Sequence, residues 1–166
     1  SRRLRILQII YSLKVGGAET FVVNIDKNLN HDEVDFEYLV FKRVDDGYES
    51  YVTERGGVLD YVPTLRESGN LWRFVSSVRD YIKENGPYDA AHIHMDAMGF
   101  LPAIAAKIAG VETIVCHAHT ARYADGLSFS ERVLLTANRF FLGRLHVKAV
   151  ACGKEAGDSM YGRLPY

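Results

Sequence analysis

Leu4-Arg5-Ile6-Leu7-Gln8-Ile9-Ile10, followed by Gly16-Gly17-Ala18-Glu19, is the stretch that decides the fold. Leu4, Ile6, Leu7, Ile9 and Ile10 form an apolar run that reads as a buried strand. Gly16-Gly17 breaks it, and helical periodicity carries from Ala18 to Leu29. Strand, glycine turn, helix is how α/β proteins turn backbone N–H groups toward an anion. Glycine can serve such a turn by taking φ > 0 and by letting a ligand approach the backbone closely. The expectation is an open α/β sheet with a ligand crevice at the carboxyl ends of its strands.

Working outward, strands are predicted at 4–10, 34–41, 58–62, 89–93, 112–116 and 147–151. Helical patterns fall between them at 17–29, 47–56, 70–85, 97–109, 130–143 and 154–162. Strands alternating with helices of about 10–15 residues imply βαβ units and a mostly parallel, Rossmann-like sheet with helices on both faces. The 70–85 helix opens on Asn70, a good N-cap, carries Leu71, Phe74, Val75, Val78, Tyr81 and Ile82 on one stripe, and stops at Asn85-Gly86-Pro87. Residues 121–130 read as a loop. The run Arg163-Leu164-Pro165-Tyr166 is unlike a finishing tail and gives the expectation that the natural chain continues.

The 166 residues fit one domain, and a net charge of −1 offers no footprint for nucleic acid. The two cysteines, Cys116 and Cys152, lie in apolar strand-like runs and make neither a metal spacing nor a disulfide framework. Small buried hydrophobes in a reducing, cytosolic setting are the plain reading. No apolar stretch reaches the roughly 18 residues of a membrane-spanning helix, and no signal peptide is recognisable.

Four histidines come as i, i+2 pairs, His92/His94 at the end of the fourth strand and His117/His119 at the end of the fifth. Residues i and i+2 of a strand face the same way, so each pair can present two imidazoles at a carboxyl end. They could act as general bases, as partners of a hydroxyl or as metal ligands, or simply pack at the strand ends. His92-Ile93-His94-Met95-Asp96 is similar to the H-x-H-x-D of metal-dependent hydrolases, but Ala97 stands where the lactamase-like pattern has another histidine. Glu19, in the first turn of its helix, either complements the helix dipole or, if functional, orients the glycine loop or meets a hydroxyl. Lys14 and Arg122 stand near these elements, each an exposed cation or a phosphate partner.

Together these segments resemble the N-terminal domain of retaining GT-B glycosyltransferases of family 4. Ile6-Leu7-Gln8-Ile9 leads into Gly16-Gly17-Ala18-Glu19-Thr20, Tyr88-Asp89-Ala90-Ala91-His92-Ile93-His94 is like the family's D-x-x-H-x-H, and Ile114-Val115-Cys116-His117-Ala118-His119-Thr120 is like its fifth-strand histidine segment. Val150-Ala151-Cys152-Gly153-Lys154-Glu155-Ala156-Gly157 is like A-C-S-x-x-A, with Gly153 in place of the usual serine. Two histidines, His117 and His119, compete for the family's single strand-five position.

The resemblance implies an enzyme of two Rossmann-like domains with the active site between them. Residues 1–166 would be the acceptor side, and a C-terminal nucleotide-sugar-binding domain with an E-x7-E pattern would lie outside this chain. It implies transfer of a sugar, hexosyl type, from a nucleotide diphosphate sugar to a glycan or lipid-linked acceptor, with retention and without a metal or other cofactor. Cell-surface polysaccharide synthesis would be the setting. It places Gly16, Gly17, Glu19, His94 and Arg122 at the donor diphosphate and acceptor, and His119 or His117 beside the transferred sugar. The expected location is cytoplasmic, with peripheral contact at the inner face of the membrane through residues 66–74 and 121–130, and this chain alone should be inactive. Two rivals stand beside it: a complete flavodoxin-like nucleotide- or anion-binding module, and a metallohydrolase built on His92, His94 and Asp96.

Overall fold

The computed structural model describes residues 2–121 and 126–166. Six parallel strands form one sheet: β1 (Leu4–Ile10), β2 (Val34–Val40), β3 (Leu59–Tyr61), β4 (Ala90–His94), β5 (Thr113–Ala118) and β6 (Lys148–Ala151). Their spatial order is β3-β2-β1-β4-β5-β6. The chain therefore reverses direction of travel across the sheet between β1 and β4, and a crevice opens beyond the carboxyl ends of those two strands. The helices are α1 (Gly17–Lys27), α2 (Glu49–Glu54), α3 (Leu65–Ser68), α4 (Leu71–Asn85), α5 (Phe100–Ile108), α6 (Phe129–Leu145) and α7 (Lys154–Tyr161).

The sheet divides the apolar side chains into two layers, as alternating strand residues require. Leu7, Ile9, Leu39 and Ile93 join Phe74 and Val78 of α4 and Leu101 and Ala105 of α5 in the larger core. Ile10, Phe36, Tyr38 and Val40 turn to the other face against Val22 of α1 and Val52 of α2. β1 and β2 are thus buried on both sides along most of their length, which is why their sequences run largely apolar, whereas the edge strands β3 and β6 are only partly covered.

The alternation of elements agrees with the sequence reading, and three details differ. The predicted 97–109 helix is split: a 3₁₀ turn spans Asp96–Met98 and α5 begins only at Phe100. Asp96 stands at φ 45, a left-handed conformation that stops a continuous helix from starting there. The predicted 47–56 helix shortens to Glu49–Glu54, ended by Gly56 at φ 74. A short helix, α3, fills the connection between β3 and α4, closed by a reciprocal cap in which Thr64 and Glu67 satisfy each other's backbone N–H. The backbone around Gly47 braces the loop after β1. Tyr48 N–H donates to the Leu13 carbonyl at 2.8 Å, and a Cβ on Gly47 would lie 2.2 Å from that oxygen.

Candidate functional site

The loop from Tyr11 to Gly16 lies at the crevice, held from the side of β2. Phe41 and Lys42 both donate backbone N–H to the Tyr11 carbonyl at 3.0 Å. α1 then starts at Gly17 with Gly16 as N-cap and no side-chain cap. Neither glycine stands at positive φ; Gly16 is fully extended at φ −163, a conformation open to any residue. A Cβ on Gly16 would sit 2.5 Å from Glu19 Oε2, whereas one on Gly17 would meet nothing within 4 Å. The Glu19 side chain thus folds back over the glycine turn. Its carboxyl is pushed above the usual range by burial, and then by Asp96, against the pull of its own backbone N–H.

The four histidines form one cluster across β4 and β5. His92 and His94 lie with ring centroids 4.0 Å apart, tilted by 50°, and His117 and His119 stack at 4.2 Å, each pair on one side of its strand as i, i+2 geometry dictates. The pairs also meet each other: His92 Nε2 and His117 Nδ1 are 3.2 Å apart, and His94 Nδ1 and His119 Nε2 are 2.8 Å apart. Phe21 of α1 covers the cluster edge-on, 5.0 Å from His117 and 5.7 Å from His119.

Gln8 of β1 orders the second pair. Its side chain is fully buried and its Oε1 lies 2.8 Å from His94 Nε2. With that oxygen accepting, His94 carries its proton on Nε2 and presents the Nδ1 lone pair to His119 Nε2–H. His119 is left with Nδ1 as an acceptor. His94 and His117 are buried, whereas His119 lies just past the end of β5 and is half-buried, so His119 is the imidazole best able to meet a ligand. Burial, reinforced by neighbouring imidazoles at all but His119, pushes all four below their usual range, His92 to about 3 and His117 to about 4. The cluster is therefore neutral at pH 7, able to accept hydrogen bonds and short of positive charge.

Asp96 works on the backbone. Its Oδ1 accepts His119 N–H at 2.9 Å, and its carboxylate also accepts from the Thr120 backbone. That ties the 3₁₀ turn after β4 to the end of β5 and fixes where His119 begins to leave the sheet. Among the described residues, the trio that could hold a metal is His92, His94 and His117, whose donor nitrogens lie within 4.8 Å of one another. Asp96, the third ligand of the metallohydrolase reading, is engaged by two backbone amides.

Of the other residues named from sequence, Lys14 is exposed and its backbone bridges to Gly47. Cys116 is buried, its thiol pushed up to about 12 by burial, and Cys152 is exposed. Arg122 lies outside the described residues. Sequence reasoning missed Gln8, Phe21 and the bracing Gly47. Gln8 had a readable signal, a polar residue inside an apolar strand, which demands a buried partner.

A six-stranded parallel sheet of order 3-2-1-4-5-6, with its polar residues gathered at the switch between β1 and β4, defines a Rossmann-like α/β domain. The family model of the glycosyl transferase 4-like domain matches residues 16–158, and the chain belongs to that family. The Bacillus subtilis (strain 168) protein named as glycosyltransferase EpsF is 34% identical over 163 residues, 98% of this chain and 42% of that protein. The chain thus spans under half the length of this curated relative. Among solved structures, Anabaena Alr3699/HepE in complex with UDP and glucose superimposes with a TM-score of 0.64 at 21% identity, over 96% of this chain and 40% of that one. A UDP-N-acetylglucosamine 2-epimerase gives 0.64 at 15% identity, over 99% of this chain and 46% of that one. Acinetobacter baumannii MurG gives 0.56 at 14%, over 92% and 42%. These likenesses establish the GT-B, Rossmann-like fold, and the family favours neither the stand-alone binding module nor the metallohydrolase.

Proposed function

We propose that this chain is the acceptor-side half of a glycosyltransferase that moves a sugar, hexosyl type, from a nucleotide diphosphate sugar to a glycan or lipid-linked acceptor with retention, in cell-surface polysaccharide synthesis. A C-terminal domain would bind the nucleotide sugar and close the cleft. The observation that carries the reading is the Gln8–His94–His119 relay at the same sheet end as the Gly16-Gly17 turn, in a chain of this family.

In this reading the Gly16-Gly17 turn and the first amides of α1 lie against the donor diphosphate and stabilise the charge that develops as it leaves. Glu19 holds the turn in shape. His119, neutral and aimed by His94, accepts from a hydroxyl of the transferred sugar, while His117 supports it from the sheet. Arg122 is assigned to the diphosphate side. Turnover requires no metal, so a chelator leaves it unchanged.

Nucleoside diphosphate release by the protein that carries this chain with its donor-binding half, across a panel of nucleotide sugars, tests the reading. One donor should turn over, and Gly17→Val should cut its release at least about tenfold, because the new side chain has room in the fold but fills the space a diphosphate would take. No release with any donor, with or without lipid and glycan extracts, would return the chain to the class of binding modules.

Among the described residues, no helix is long and apolar enough to cross a membrane. The reading includes peripheral contact on the cytoplasmic face. A groove of about 430 Å³ between α4, α5 and α6 is lined by Leu71, Met98, Phe129 and Val133, and Phe129 is 84% exposed. The exposed Trp72, Arg73 and Arg132 stand close to its lining residues in sequence, a combination of apolar and cationic side chains that suits an anionic bilayer. Cosedimentation with phosphatidylglycerol vesicles should fall at least about fivefold in a Trp72→Ser/Phe129→Ser variant; equal binding by both proteins would remove membrane contact through this groove.

A further inference from the structure

We propose that a second site at the carboxyl ends of β1, β2 and β3 binds an anionic saccharide, so that the acceptor carries its negative charge beside the sugar that receives the transfer. The inference rests on the transferase reading for the word acceptor, and on the structure alone for the binding site.

A cavity of about 700 Å³ opens there, lined by Tyr11 just after β1, Phe41, Lys42 and Arg43 just after β2, and Arg66 after β3. That volume falls in the range of small-molecule sites. Three cationic residues line it together with one carboxylate, Glu67, whose Oε2 is already taken by the Thr64 backbone N–H at 2.8 Å and its hydroxyl at 2.9 Å. Among the described residues Lys42 and Arg66 have no ion-pair partner, and Arg43 lies over the Tyr61 ring at 4.2 Å. At the opposite end of the sheet Arg2, Arg3 and Arg5 are paired with Asp89, Asp35 and Glu37 respectively. With a net charge of only −1 on the whole chain, the cations at this mouth are not part of a general basic excess.

Charge alone would describe any solvated lysine, and the aromatic wall is what makes this a saccharide site. Tyr11 is 49% exposed, yet its ring stacks on Phe41 at 6.5 Å, and Phe41 stacks on buried Phe74 at 5.1 Å. The exposed ring is thereby fixed, and a fixed flat apolar face beside cations matches the C–H face of a pyranose bearing an anionic substituent. Rigid aromatic rings give such contact area at low entropic cost. Lys42 is positioned with it, since Phe41 and Lys42 N–H both donate to the Tyr11 carbonyl. Neighbouring strands are about 4.8 Å apart, so the ends of β2 and β3 lie roughly 5–10 Å from the end of β1 and its glycine turn. One or two sugar rings bridge that interval.

The anion can be a phosphate ester or a carboxylate, and the experiment separates them. The ¹⁵N-labelled chain is titrated at low ionic strength with glucose 1-phosphate, glucuronate, glucose and inorganic phosphate, following the amides of Tyr11, residues 41–43 and residues 64–66. The expected result is saturable shifts at those amides with at least one anionic sugar, at least about tenfold tighter than with glucose; the tighter of the two names the acceptor's charge. Lys42→Ala/Arg66→Ala should weaken that binding at least about tenfold. Tyr11→Ala should weaken the anionic sugar but leave inorganic phosphate unaffected. The proposal is overturned if none of these amides shifts, if glucose binds as well as the anionic sugars, or if inorganic phosphate matches them and Tyr11→Ala changes nothing. Because the readout is binding, it stands apart from the transferase test: anionic sugars held by a protein that releases no nucleoside diphosphate would sink the transferase reading and keep the site.

Discussion

His119→Ala is expected to lower kcat of the sugar transfer by about 10²–10³-fold, the range for losing one hydrogen-bonding group at a reacting centre. The effect should fall on kcat more than on KM, because a hydroxyl partner beside the transferred sugar matters most as charge builds there. The geometry separates this histidine from its neighbour. His119 stands past the end of β5, with its amide held by Asp96; with Gln8 Oε1 accepting from His94, its Nε2–H is directed at His94 and its Nδ1 is left to meet a ligand. His117 is 7% exposed and its Nδ1 faces His92. His117→Ala should therefore act mainly on stability, by removing a buried partner of the cluster, and leave more of kcat than His119→Ala does. His119→Asn keeps a side chain of hydrogen-bonding type but cannot span from His94 to a sugar, so it should resemble the alanine variant. Near-normal kcat in His119→Ala with collapse in a well-folded His117→Ala would reverse the assignment.

How much of this was legible in the chain depends on whether the information is local. The first strand, the glycine break and α1 are local patterns, and they appear where periodicity puts them. The i, i+2 ring contact within each histidine pair is equally local. The bonds between pairs depend on the register of β4 against β5, where Ile93 pairs with Cys116, and no pattern within either strand encodes that alignment. Gln8 reached the cluster by the same route, paired with His92 in the β1–β4 ladder. The role of Gly16 was read partly for the wrong reason, since its backbone needs no positive φ and the space is taken by a side chain three residues on. α3 was missed although Thr64-x-x-Glu67 is a readable cap, because four residues carry no periodicity.

The same buried cluster should make the fold sensitive to mild acid. Burial lowers the folded-state pKa of His94 well below 6.5 and that of His117 to about 4. An unfolded chain takes up protons at 6.5, whereas the folded one refuses them until far lower pH. Since the folded values are depressed, the contribution of these groups is fully present above 6.5 and is lost as pH falls from 6.5 toward about 4. Each imidazole held neutral loses about 1.4 kcal/mol of stability per pH unit in that window. His94 and His117, 5% and 7% exposed, together remove about 3 kcal/mol at pH 5.5, a large part of the 5–15 kcal/mol typical of a domain. Glu19, Asp26 and Asp96, all raised by burial, act in the opposite sense, because the folded state takes up their protons first as pH falls. They soften the loss only where those carboxyls begin to titrate. Urea unfolding from pH 7.5 to 5 should show a falling midpoint at constant m-value, and a folded His117→Asn variant should have a shallower slope by about one proton. A midpoint that stays level across that range would mean that the cluster admits protons without unfolding, and the neutral, accepting His119 on which the transfer chemistry depends would then be charged within the working pH range.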